Sequence, residues 1–66
     1  MRTVYPNLHA AMSDRGVSVS DIAKLIDKSE EIVNLKLIGV REWTLLEAVA
    51  ICRYLQCPDL RNLFLR

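Results

Sequence analysis

Between Val4 and Met12 the apolar positions recur at helical spacing, as Val4, Leu8, Ala11 and Met12. Pro6 suits the first turn of a helix, where its missing N–H leaves nothing unpaired. Gly16 supplies a C-terminal stop, so the pattern predicts a helix over about Pro6 to Arg15. Val19, Ile22, Ala23 and Ile26 make a second apolar face. Ser18 opens it as an N-cap, with Asp21 three residues on as a weak capping-box partner, and it ends near Asp27. Ser29 caps a third helix, with Glu30 and Glu31 in the first turn, where carboxylates favour the helix dipole, and Gly39 ends it. Thr44 and Glu47 form a T-x-x-E capping box ahead of a fourth helix, whose core stripe reads Leu45, Ala48, Val49, Cys52 and Leu55. Pro58 opens a last helix with Leu60, Leu63 and Phe64 on one face. No stretch alternates with period two for long enough to suggest a strand. The expected fold class is all-α, with five short helices around one core.

The stretch from Ser18 to Thr44 has a further property. Two short helical patterns sit either side of a tight polar break, Asp27-Lys28-Ser29, and the second closes at Gly39. That is the layout of a helix-turn-helix unit at about Ser18 to Gly39, whose second helix can enter the DNA major groove. At about 100° per residue, Val33 and Leu37 face the core, while Glu31, Asn34, Leu35 and Ile38 cluster on the opposite side. The aliphatic pair could meet thymine methyl groups, Glu31 could accept from cytosine N4, and Asn34 could pair with adenine. The same face could instead bind another protein, and scattered exposed apolar residues are ordinary in themselves. Lys28, Lys36 and Arg41 flank the helix and are candidates for phosphate contacts. Three such contacts imply a salt slope of about −3 for a monomer. Ser18 and Ser29 could donate to phosphate from helix N-termini, although capping alone accounts for both.

Composition narrows the function classes. The 66 residues make one small domain, Met1 to Arg66, too short to bury an enzyme pocket as well as a core. A hydrophobic content of 52% predicts a folded chain, and two glycines and two prolines argue against a turn-rich β fold. The net charge of +1 gives no global nucleic-acid signal, and Glu30 and Glu31 offset most of the local positive charge. Cys52 and Cys57 lack metal-motif spacing and the lone His9 is far off in sequence, so Cys52 reads as a small buried thiol and no metal or other cofactor is expected. No nucleophile–base set is present, so the chain is not read as an enzyme, and no small-molecule ligand is expected. No apolar run approaches the ~20 residues that span a membrane, and the N-terminus has no signal-peptide core; the expected location is the cytoplasm. Trp43, just before the Thr44 cap, reads as a hydrophobic staple or a binding hot spot. Tyr5 and Tyr54 read as the core edge, and His9 as a surface or cap residue. The C-terminal helix either closes the bundle or forms a two-fold homodimer contact.

Four segments in order, PNLHAAMSDRGVSVSDIAKLI, then S-E-E-I-V-N-L-K-L-I-G, then REWTLLEAVAI and a terminal DLRNLF, resemble the Cro/repressor-type (XRE, lambda-repressor-like) helix-turn-helix family common in phages and prophages. The resemblance covers about Pro6 to Phe64. Ala23 matches the small residue where helices two and three pack closely, Val33 and Leu37 the core side of the recognition helix, and Gly39 the turn after it. The resemblance implies a transcriptional regulator that binds operator double-stranded DNA, mostly as a dimer and without a cofactor. It puts base reading on Glu30, Glu31 and Leu35, with Asn34 beside them. The chain departs from the family at Asp27, where glycine is usual; aspartate tolerates left-handed backbone better than most residues. It departs again in its acidic reading set, where relatives more often carry Gln, Arg, Lys, Ser or Asn. A protein-interaction module on the same fold, with Leu35, Ile38 and Trp43 as an apolar patch, is the alternative.

Overall fold

A computed structural model describes residues 3–66. Five helices follow in order: α1 Pro6–Arg15, α2 Val19–Ile26, α3 Glu30–Leu37, α4 Leu45–Tyr54 and α5 Leu60–Leu63. Among the described residues there is no strand, so the fold is all-α.

Local chemistry sets nearly every boundary. Gly16 takes a left-handed conformation (φ 65°) and its N–H turns back to the end of α1. Ser18 and Asp21 form a reciprocal capping box on α2: the Asp21 N–H donates to Ser18 Oγ at 3.2 Å, and the Ser18 N–H to Asp21 Oδ2 at 2.9 Å. Those bonds from Ser18 hold the Asp21 carboxyl below the ordinary carboxylate range. Asp27 ends α2 in the left-handed region at φ 57° and ψ 47°. Ser29 Oγ accepts the Ile32 N–H and starts α3. Thr44 and Glu47 make the second reciprocal box, on α4. The last helix is shorter than the sequence suggests: Asp59, not Pro58, caps it, and its first residue is Leu60.

The core unites Tyr5, Leu8 and Met12 with Ile22 and Ala23, Val33 and Leu37, Ile51, Cys52 and Leu55, and Leu63. α2 packs against α3 and α4, while α5 packs against α1 and α4. Ala23 is buried in the element that packs on α3, where a small side chain lets two helices approach. The α4 stripe differs from the expected one. Ile51 is wholly buried, whereas Leu45, in the first turn, is 72% exposed. The stripe Ala48, Ile51, Cys52 and Leu55 is the buried one, and the first turn of α4 extends past the core. Tyr54 is half exposed rather than part of the core edge. Trp43 is half-buried, with its ring edge-on to both Tyr5 and Phe64 (centroids 6.5 and 5.7 Å apart). Cys52 and Cys57 are free thiols; burial pushes the Cys52 thiol up, which suits an inert core residue.

Candidate nucleic-acid interface

α2, the Asp27–Ser29 turn and α3 form a helix-turn-helix. Gly39, at φ 85°, closes α3; that left-handed backbone favours glycine, and a Cβ there would lie 3.2 Å from Val4 Cγ2, so the valine side chain would have to shift slightly. Ser18, Lys28, Ser29, Glu30, Glu31 and Arg41 are exposed, and Asn34 and Leu35 are half-buried. The turn and the first half of α3 therefore present Lys28, Ser29, Glu30 and Glu31 together. Ser18 stands apart, at the start of α2, and Arg41 lies beyond Gly39. Ser18 and Ser29 both use their hydroxyls as caps.

The model of the Cro/C1-type helix-turn-helix DNA-binding domain matches residues 7–60. The chain belongs to this family. No curated protein and no solved structure matches it. In helix-turn-helix domains the second helix of the unit enters the major groove; here that second helix is α3.

Lys36 corrects the sequence reading. It is 6% exposed and lies with Val33 and Leu37 on the inner side of α3. Its ammonium donates to Glu47 Oε1 at 2.6 Å and to the Glu42 carbonyl at 3.2 Å, and sits 5.6 Å from the Trp43 ring centroid. A cation so enclosed does not reach phosphate. Glu47 is buried too, and burial by itself would raise its pKa. The Lys36 ammonium and the Thr44 N–H outweigh that and hold its carboxyl below the ordinary value near 4.5. Lys28 and Arg41 are then the two exposed cations flanking α3. Two phosphate contacts give a salt slope of about −2 per monomer instead of −3.

Asn34 differs in a second way. Its Oδ1 is buried and has no hydrogen-bond partner. Bidentate pairing with adenine uses both the carbonyl and the amino group of the amide, so Asn34 must turn outward before it can read adenine that way. Glu30 and Glu31, both exposed in the first turn of α3, stabilise the helix but cancel the positive end that would otherwise attract phosphate. Trp43 packs into the Tyr5–Phe64 cluster and so is not free to complete an apolar patch with Leu35 and Ile38. Further along, Val40, Leu45 and Leu46 are exposed. A shallow apolar groove runs between the start of α4 and α5, lined by Leu45, Leu60, Phe64 and Leu65.

Among the described residues, no helix is long and apolar enough to cross a membrane, and no group of three or more His, Cys, Asp or Glu is placed to hold a metal.

Proposed function

We propose that the chain is a sequence-specific transcriptional regulator, a repressor or Cro-like protein of phage or prophage origin, that reads operator DNA with α3 in the major groove. The observation that carries the reading is a Cro/C1-type domain matched over residues 7–60 in which the turn and the first half of α3 present Lys28, Ser29, Glu30 and Glu31 to solvent. Glu31, Asn34 and Leu35 read base edges, with Glu30 beside them. Lys28, Ser29 and Arg41 hold the backbone, and Ser18 offers a further contact from the start of α2. A carboxylate in the reading set selects for cytosine, whose amino group can donate to it. Two flanking cations hold DNA weakly, so the protein acts as a homodimer, with the C-terminal face of α5 as the contact between copies. Residues 1–66 work as one domain that binds and does not catalyse, in the cytoplasm with the DNA it regulates.

Selection from a randomised duplex library tests this. Enrichment of a two-fold site with cytosine opposite Glu31 is expected, lost in Glu31→Ala. A library that emerges unenriched would refute sequence-specific reading. A second reading, a partner protein on the same face, is favoured by the paired carboxylates Glu30 and Glu31 and by exposed Ile38 and Val40 beyond them.

A further inference from the structure

The Lys36–Glu47 pair is a polar tie between α3 and α4. α3 packs closely on α2 and meets α4 through core side chains, Val33 and Leu37 sharing one buried cluster with Ile51 and Cys52, a contact that is non-directional. The last turn of α3 is also held by specific polar ties. Leu37 O accepts from the Val4 N–H and from Thr3 Oγ1, both at 3.1 Å. From the other side, Lys36 reaches the first turn of α4.

Glu47 is a fixed anchor for that reach. Its N–H donates to Thr44 Oγ1 at 3.1 Å, and its Oε1 accepts the Thr44 N–H at 3.0 Å, so the α4 cap holds the same carboxylate that Lys36 meets. The ammonium is held in turn by the Glu42 carbonyl and the Trp43 ring. Two apolar side chains would fill this space without the cost of desolvating two charges. What charges add is direction: a single bond length and angle between α3 and α4. α3 is eight residues long, roughly 12 Å, so a small tilt at its C-terminal end moves Glu31, Asn34 and Leu35 relative to a base edge.

We propose that Lys36 and Glu47 are positioning residues for the recognition helix, fixing its orientation on α4 so that its outer face meets bases in one register. The inference rests on the DNA-binding reading for its function, although the tie itself can be measured without DNA.

The test is the double variant Lys36→Met with Glu47→Met, which removes both charges and keeps the volume filled, with Lys36→Met alone as a second variant. Folding is checked by circular dichroism. Affinity is measured for the selected duplex and a random duplex across a salt series. The proposal expects the ratio of specific to random affinity to fall at least about tenfold, the scale of one misread base pair, with the salt slope unchanged. A slope shallower by about one per subunit would make Lys36 a phosphate contact and overturn the proposal. An unchanged ratio with an unchanged slope would also overturn it. Amide hydrogen exchange on the free protein is measured beside this. Faster exchange at Ile38, Gly39 and Val40, with α1 and α2 unaffected, supports the tie; unchanged exchange there refutes it. If the unmutated protein holds no duplex at all, the DNA reading fails, and the exchange data still decide whether the pair orients α3.

Discussion

Replacing Glu47 by Met should destabilise the domain far more than a surface carboxylate ever does. The pair is 2.6 Å long and both side chains are more than nine-tenths buried. Without Glu47, the Lys36 ammonium keeps only the Glu42 carbonyl and the Trp43 face. Breaking a buried pair from one side costs about 3–5 kcal/mol. Loss of the Thr44 N–H bond to Glu47 adds roughly 1 kcal/mol. A chain of 66 residues has only about 3–10 kcal/mol of stability, at ~0.05–0.15 kcal/mol per residue. Glu47→Met therefore sits near the edge of folding. Lys36→Met should cost less, about 3 kcal/mol at the low end of the same range, because the carboxyl keeps its Thr44 donor and can take up a proton. In the double variant no charge is buried, and two thioethers fill the space adaptably. Its loss should be about 1 kcal/mol, far below the sum of the single losses. Urea denaturation followed by circular dichroism gives all three values. Single losses that add within about 0.5 kcal/mol in the double variant, or a Glu47→Met loss under about 1 kcal/mol, would mean that the pair behaves as a solvated surface pair.

Other outcomes follow from the same geometry. Because Glu47 is held below its ordinary value near 4.5, its contribution is complete above that pH and is lost as pH falls through the lower folded value. Stability measured from pH 6 downward should thus fall more steeply in the unmutated protein than in the double Met variant, and parallel curves would contradict the assignment. Asp27→Gly relieves a left-handed aspartate (φ 57°) but frees the unfolded chain; the net gain should be up to about 1 kcal/mol, and a lower melting temperature would contradict the strain. Ile51→Ala should cost about 2–5 kcal/mol, whereas Leu45→Ala should stay within about 0.5 kcal/mol, as thermal melts of the two variants will show. Lys28→Ala should make the salt slope of duplex binding shallower by about 0.9 per subunit, and an unchanged slope would remove Lys28 from the phosphate contacts.

The helix ends were legible because capping is local. Ser18 with Asp21, Ser29, and Thr44 with Glu47 each act within four residues, and each starts the helix it was expected to start. The helix-turn-helix followed from those ends plus Asp27, whose left-handed backbone makes the turn between α2 and α3. Lys36 was not legible as a core residue, since a lysine on a short helix ordinarily points to water. The signal was present but divided. Lys36 stands three residues after Val33 and next to Leu37, on their face, and its counterion lies 11 residues away, where the capping box already accounted for it. The α4 stripe was misread at Leu45 for a related reason. Leu45 has the right spacing from Ala48 and Cys52, but periodicity says nothing about where along a helix the core stops. Of the face expected on the outside of α3, Glu31 and Ile38 are exposed while Asn34 and Leu35 are half-buried; the buried Oδ1 of Asn34 depends on how the side chain rotates, which spacing does not give.

The most direct test of DNA binding is a two-dimensional NMR titration of isotope-labelled protein with a generic duplex at low salt. The account predicts shifts concentrated at Lys28–Leu35 and Arg41, fading as salt is raised, with the Lys36 side chain unmoved. A spectrum that stays silent at low salt would contradict it, because even a weak reader with two exposed cations flanking its reading helix holds non-specific duplex under those conditions.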